Sequence, residues 1–281
     1  MPKNAFTVDL EDWFQGLTST NPQVDRWPTF ESRVVPATRL LLETLRRHKV
    51  QATFFVLGYT ANQHPALIEQ IRAEGHELGI HGYHHRFVNR LAAAQFAEEV
   101  ERSLETVARI TGEAPLGHRA PYFSINAQTP WAFEVLERFG LRYDSSVFPM
   151  RSLLYGYPGA PALPGPLPAH KLIEFPVSTI KLAGLTWPIG GGFYLRALPY
   201  PLVRRGIARL NRQGHPAILY LHPWELDLEQ RYSQVTPRER LTHYYGRRHL
   251  AGKLERLFSE FRFGPLKALY DIYANRQAIA G

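Results

Sequence analysis

Short apolar runs alternate along this chain with stretches of helical periodicity, and that alternation limits the fold more than any other feature. Ala5-Phe6-Thr7-Val8 is a β-prone run that leads straight into acidic residues. Pro36 opens a helical pattern through Leu40, Leu41, Leu45 and His48, proline being tolerated in a first turn whose N–H groups have no helical partner. Ala52-Thr53-Phe54-Phe55-Val56 reads as a buried strand ended by Gly58, and Pro65 to Glu74 as a helix closed by Gly75. Glu77 to Ile80 is a short strand running into His81, and Ala92 to Ile110 a long amphipathic helix ended by Gly112. Leu116 to Arg119, a helix from Pro130 to Phe139 closed by Gly140, and Leu141-Arg142-Tyr143 before Asp144 continue the series. A helix from Pro199 to Gln213, ended by Gly214, precedes the strand Ala217 to Leu221 and His222. Such alternation predicts an α/β fold with a parallel sheet, open or closed into a barrel.

The length of 281 residues suits one large domain or two small ones, and no internal repeat divides it. With 44% hydrophobic and 21% charged residues, a disordered chain is excluded. Ser152 to Thr186 breaks the pattern: prolines at 158, 161, 164, 166 and 168 forbid a central strand or helix there. The Gly190-Gly191-Gly192 run that follows lacks both the Lys-Ser/Thr of a phosphate loop and the spacing of a dinucleotide fingerprint. Such a long loop in a compact domain suits a lid or a binding loop. The absence of cysteine excludes a disulfide framework, a thiolate metal site and a cysteine nucleophile together. No apolar segment near the N-terminus resembles a secretory signal and none is long enough to span a bilayer, so the expectation is a soluble, cytoplasmic protein.

The formal charge is +8, and Thr236 to Gly281 carries nine Lys/Arg against four Asp/Glu, or +5. No zinc-finger, basic-zipper or RNA-recognition pattern accompanies it, so a nucleic-acid partner is not expected. The bland reading is a solvated helix face; the alternative is peripheral docking on anionic lipid or within a biosynthetic complex.

Asp9, His81, Arg119, Asp144 and His222 each stand at the C-terminal end of an expected strand. In parallel α/β architectures those ends share one face, where barrel enzymes place their chemistry. His81 and His85 are four apart and converge if the segment forms a helical turn, while His84 points elsewhere. Two imidazoles and a carboxylate from Asp9-Leu10-Glu11-Asp12 make a donor set for a catalytic divalent ion, zinc first, with cobalt or nickel as alternatives. Among the many aromatic residues, Trp224, Tyr122 and Tyr194 are the candidates for lying near substrate, and Arg196 for meeting an anionic group.

The order of these segments resembles the NodB-type polysaccharide deacetylases, carbohydrate esterase family four. The likeness rests on Thr7-Val8-Asp9-Leu10-Glu11-Asp12, His81-x-x-x-His85, Arg119-Ala120-Pro121-Tyr122, Tyr143-Asp144-Ser145-Ser146 and Leu221-His222-Pro223-Trp224-Glu225. Gly190 to Pro201 and the Pro-Trp-Glu after His222 are similar to the branch found with exosortase and exopolysaccharide loci. The resemblance implies a distorted (β/α) barrel over residues 1–235, with a Pro/Gly-rich insertion at about 150–200. Residues 236–281 would then be a basic helical extension, packed on the barrel or appended to it. It implies a metal-dependent N-deacetylase acting on an N-acetylated glycan, in an exopolysaccharide or its precursor. Asp9 would be general base, Arg119 its orienting partner, the Tyr122 N–H an oxyanion donor, and His222 the acid, with Asp144 holding that imidazole charged.

One departure stands out: where the family has two adjacent aspartates, Leu10 occupies the second place. Along an extended strand Asp9 and Glu11 share a face, which favours Glu11 as ligand; if the strand ends at Leu10, Asp12 turns in instead. The competing readings are an allantoinase-like cyclic amide hydrolase and a catalytically silent glycan-binding protein.

Overall fold

A computed structural model describes residues 4–150, 156–182, 184–231 and 235–280. In chain order, β1 (Asn4–Leu10) is followed by α1 (Val34–Arg47), β2 (Thr53–Val56), α2 (Gly58–Gln63), α3 (Pro65–Ala73), β3 (Glu77–Ile80) and α4 (Ala93–Thr111). Next come β4 (Gly117–His118), α5 (Trp131–Arg138), β5 (Tyr143–Asp144), β6 (Gly165–Pro166), β7 (Ile173–Glu174), β8 (Thr179–Leu182) and β9 (Leu185–Pro188). The chain then forms α6 (Gly192–Ala197), α7 (Tyr200–Arg212), β10 (Ile218–Leu221), α8 (Pro237–Tyr244), α9 (Arg247–Glu260), β11 (Phe263–Gly264) and α10 (Leu266–Ala280).

The main sheet runs β10-β1-β2-β3-β4-β5-β7-β6, with β11 alongside the start of β1. Every pairing is parallel except that of β6, the antiparallel edge strand. Because strand side chains alternate, one face of β1 sends Phe6, Val8 and Leu10 into the core under α1 and α3, beside Leu41, Leu45, Ile68 and Ile71. The other face sends Ala5 into a second cluster with Phe55, Tyr143, Phe175 and Ile218. A sheet apolar on both faces must be covered on both, and here it curls into an incomplete barrel around that second cluster. Strands β7 and β10 do not pair across the gap. Main-chain bonds from Ser178 N to Ile218 O (3.1 Å) and from Tyr220 N to Gly190 O (2.7 Å) bridge it.

The expected α/β barrel is thus present in incomplete form, and the helices and strands expected before residue 150 lie within one or two residues of their places. The proline-rich stretch differs, apart from residues 151–155, which lie outside the described residues. It holds four short strands: Pro166 sits on edge strand β6, where a missing N–H costs nothing, β7 extends the main sheet, and β8–β9 is a separate hairpin. The C-terminal segment supplies a strand as well as helices. Leu250, Leu254 and Leu257 of α9 join the main core, and Leu266 and Leu269 of α10 pack into the inner cluster.

Candidate active site

The alternation that buries Phe6 and Val8 outward turns Thr7 and Asp9 inward, where both meet Arg119. This guanidinium is wholly buried. It donates from Nη1 to Asp9 Oδ1 (2.7 Å) and Thr7 Oγ1 (2.7 Å), from Nη2 to Ser145 Oγ (2.7 Å) and from Nε to Ser145 O (3.0 Å). It also lies over the Phe55 ring, 4.4 Å from the centroid. A buried arginine with four of its five N–H groups bonded in this way fixes one carboxylate oxygen of Asp9 and leaves the other, Oδ2, facing His222 Nε2 at 4.0 Å.

Beyond β3 the chain turns through Gly82 and His85, both with positive φ, instead of continuing as a helix. Glu99 of α4 shapes that turn: it accepts from the N–H groups of Tyr83 (2.9 Å) and His84 (2.7 Å) and from His84 Nδ1 (2.9 Å). His84 is thereby tied down, and His81 and His85 converge, with their Nε2 atoms 3.2 Å apart. The Nδ1 of His81 donates to Arg119 O at 2.8 Å, which leaves its Nε2 lone pair directed at the cluster.

Strand β1 ends at Leu10, yet it is Glu11 that enters this cluster, its Oε2 2.7 Å from His85 Nε2. A side chain at Gly16 would place Cβ 2.3 Å from Glu11 Oε1, so glycine there makes room for the carboxylate. Burial raises the Glu11 pKa, but His85, His222 and His81 outweigh it and hold it at about 2. Burial holds the His81 pKa down at about 4, so it is a neutral imidazole at pH 7.

Asp12 goes elsewhere. Its oxygens accept from the N–H groups of Trp13 (3.0 Å), Arg33 (3.1 Å) and Val34 (3.3 Å), anchoring the start of α1. Burial raises its pKa to about 6 despite those bonds. The structure therefore separates the two carboxylates that the sequence left open.

Glu11, His81 and His85 are the group among the described residues whose donor atoms all lie within 4.8 Å of one another, and all three are buried. Donors held about 2.0–2.1 Å from a tetrahedral zinc stand roughly 3.3 Å apart, close to the imidazole separation here. Glu11 Oε2 has His85 Nε2 as its close neighbour, at 2.7 Å, so a carboxylate oxygen and two imidazole nitrogens face one another as the donor atoms of a shared cation would.

His222, at the end of β10, faces the same space, its Nε2 3.6 Å from Glu11 Oε1. Its other nitrogen, Nδ1, donates to Glu225 Oε1 (2.9 Å), which also accepts from the His222 main-chain N–H (3.0 Å). The far oxygen of Glu225 is bonded by Arg196 Nε. Gly192 permits this approach, because a Cβ there would fall 1.9 Å from Glu225 Oε1. Burial opposes charge on His222, but Glu11, Glu225 and Asp9 together raise its pKa to about 9. Burial raises that of Glu225, but Arg196 and His222 hold it at about 2.

Asp144 is placed differently from the sequence expectation. Wholly buried, it accepts from His118 Nδ1 (2.6 Å), Ser146 Oγ (2.7 Å) and Ser146 N (3.0 Å), while the imidazole of His222 is held by Glu225. Arg196 likewise meets an anionic group within the protein, near the end of the short helix that follows Gly190-Gly191, rather than on the surface.

Of the aromatic candidates, Trp224 stacks on His222 with centroids 5.0 Å apart and reaches Glu11 Oε1 through Nε1 at 3.4 Å. Tyr122 stacks flat on Phe87 (3.9 Å, 3°) and edges against His85 (4.5 Å). Its main chain has a φ of 55°, followed by 48° at Phe123, so two successive residues occupy the left-handed region that side chains rarely adopt. Tyr194 packs against Phe148 and Phe193, farther along the same rim. Glu99 and His118 have no part in the sequence reading, and Glu225 enters it only as the last residue of the Pro-Trp-Glu run, with no role of its own. The three-residue spacing of His222 and Glu225 was the one available signal, since it closes a helical turn.

Residues 20–143 match the family described as polysaccharide deacetylase, and residues 145–271 a domain of unknown function, DUF3473. The first range includes His81, His85 and Arg119 but begins after Asp9 and Glu11; the second includes His222 and Glu225. A Listeria monocytogenes peptidoglycan-N-acetylglucosamine deacetylase is 35% identical over 101 residues, 36% of this chain and 20% of that protein. A Colletotrichum lindemuthianum chitin deacetylase is 36% identical over 104 residues, 35% of this chain and 42% of that protein. The chain therefore matches less than half the length of either relative. A solved Mycobacterium smegmatis structure, assigned as a polysaccharide deacetylase, shares the fold: TM-score 0.62, 23% identity, covering 97% of this chain and 90% of that one.

Proposed function

We propose that this chain is a polysaccharide deacetylase of the NodB type, a hydrolase that cleaves the acetamido group of an N-acetylated sugar and releases acetate and a free amine. The observation that carries the reading is the meeting, in one space, of Glu11, His81 and His85 with Asp9 on one side and His222 on the other. The family match and the two deacetylase relatives support it. An allantoinase-like site of the metal-poor kind has no use for a converging His–His–Glu set, and that set counts against it.

Glu11, His81 and His85 would hold a divalent cation, and two imidazoles with a carboxylate suit zinc. When bound, such an ion would supply Lewis-acid chemistry, polarising the acetyl carbonyl and lowering the pKa of a water beside it. Asp9, with Oδ1 fixed by Arg119, accepts the water proton at Oδ2. The main-chain N–H of Tyr122, set by its left-handed turn, donates to the developing oxyanion. His222, fixed at Nδ1 by Glu225, donates from Nε2 to the departing amine. The similarity of Gly190 to Pro201 and of Pro223-Trp224-Glu225 to the exopolysaccharide branch supports an exopolysaccharide or its precursor as substrate.

The test joins elemental analysis of bound metal to acetate release from N-acetylated oligosaccharides. His81→Ala should lose both metal and activity. Asp9→Asn should keep the metal and lose about 10²–10⁴-fold in turnover. A wild-type protein that takes up no zinc, cobalt or nickel would remove the mechanism; loss of metal in Asp9→Asn would remove the assignment of the base.

A further inference from the structure

Between Glu174 and Glu225 the sequence holds no acidic residue, while Lys181, Arg196, Arg204, Arg205, Arg209 and Arg212 fall within that stretch. Two of these cations are occupied: Arg196 by Glu225 and Arg204 by Glu260. Arg205, Arg209 and Arg212 recur at i, i+4 and i+7 along one exposed face of α7, and Lys181 is exposed on β8. None of the four has a carboxylate partner among the described residues. The basic C-terminal segment differs, because several of its cations are engaged internally. Arg247 donates to Trp224 O (2.6 Å), Lys253 to three carbonyls of residues 195–198, and Arg256 lies 3.8 Å from the Tyr200 ring centroid.

The β8–β9 hairpin lies beside this arginine stripe. Arg209 Nη1 reaches Lys181 O at 3.4 Å, and a groove of about 490 Å³ is lined by Lys181, Thr186, Arg209 and Gln213 together with Pro149 and Ala160 of the loop before β6. Ile180, opposite Trp187 in the hairpin register, is buried toward Gly206 of α7. The same hairpin face, opposite to that of Lys181 and Thr186, continues outward to Trp187, 37% exposed, and Leu185, 62% exposed.

We propose that this surface, α7 with the β8–β9 hairpin, docks the protein on an anionic lipid bilayer. Arginines without acidic neighbours match a layer of negative headgroups, and a tryptophan and a leucine at a hairpin end match the interfacial zone beneath them. A soluble polyanion would satisfy the arginines but give Leu185 and Trp187 no apolar partner, so the bilayer fits both halves of the surface. The inference is independent of the chemistry assigned to the metal-ligand cluster.

The experiment is co-sedimentation of the full chain with phosphatidylcholine vesicles and with mixed phosphatidylglycerol–phosphatidylcholine vesicles. Binding is expected to the anionic vesicles alone and to weaken with salt. R205Q/R209Q/R212Q should weaken it about a hundredfold, from roughly fivefold for each arginine near the surface. L185S/W187S should lower binding and abolish a blue shift of tryptophan fluorescence on vesicle addition. Both variants should retain wild-type thermal unfolding and acetate release from a soluble oligosaccharide. Failure of the wild type to bind anionic vesicles, equal binding of either variant, or capture by dextran sulfate without capture by vesicles would each overturn the proposal.

Discussion

Glu225 touches His222 twice, at the imidazole Nδ1 and at the main-chain N–H, and is itself held by Arg196. That arrangement fixes both the orientation of the ring and which nitrogen carries the outward proton. Glu225→Gln keeps the shape and removes the charge. It should lower kcat about 10–100-fold with KM and bound metal little changed. Asp144→Asn makes the opposite case: it breaks a fully buried pair with His118, at a cost of roughly 3–5 kcal/mol in denaturant stability, but should leave kcat of the folded enzyme nearly intact. The reverse pattern, with kcat lost in Asp144→Asn and kept in Glu225→Gln, would return to Asp144 the role that the family resemblance implied. Sequence position placed Asp9, His81, Arg119 and His222 on one face, because strand ends in a parallel sheet must gather there. It could not tell which carboxylate serves which base. Burial favours Glu174 neutral, beside an Asp144 already committed to His118, and that pairing spans three strands.

At the scale of elements, the helices and long strands were legible because their apolar period and their glycine or proline boundaries are local. The two-residue strand β5 was legible from its place after a helix closed by Gly140, whereas β7 has no period to read, and β6 to β9 fall in and just after a stretch whose five leading prolines gave it an irregular reading. Helix α8 shows what such readings also miss: eight residues, none of them a core hydrophobe, place His243 flat on Trp224 with centroids 4.3 Å apart. Burial, with Arg196 and His222 nearby, lowers the His243 pKa to about 3. The sign follows from proton counting. Below about pH 6.5 the unfolded chain takes up a proton that the folded chain refuses, so stability falls as pH falls from about 6.5 toward 3, by at most about 1.4 kcal/mol per pH unit. Urea midpoints of wild type and His243→Gln should therefore converge or cross between pH 7 and pH 5. Parallel losses in the two proteins over that interval would mean that this imidazole is not the group refusing the proton.

For the whole molecule, the two ends of the curled sheet have separate duties, and the C-terminal third serves both. At the end that carries the candidate site, Arg196 bonds to the carbonyls of Thr242, His243 and Tyr245, so the segment before α9 braces the residue that braces Glu225. At the opposite end α10 closes the barrel. Leu266 N donates to Thr53 Oγ1 (2.7 Å) and Lys267 N to Glu77 Oε2 (2.9 Å), while Leu266 and Leu269 fill the cluster of Ala5, Phe55, Tyr143 and Ile218. An incomplete barrel cannot leave such an apolar inner cluster open to water, so the helix is structurally required even though it lies far along the chain from the strands it covers. Leu269→Ala should cost about 2–5 kcal/mol in equilibrium unfolding, the range for a buried leucine replaced by a cavity. The metal content and kcat of its folded fraction should be unchanged, because the cluster at the opposite end loses no contact. A chain ending at residue 265 should fail to unfold cooperatively, with the inner cluster exposed and the bonds to Thr53 and Glu77 gone. If that truncation instead melts like the intact protein, the inner cluster closes without α10, and the helix is an appendage.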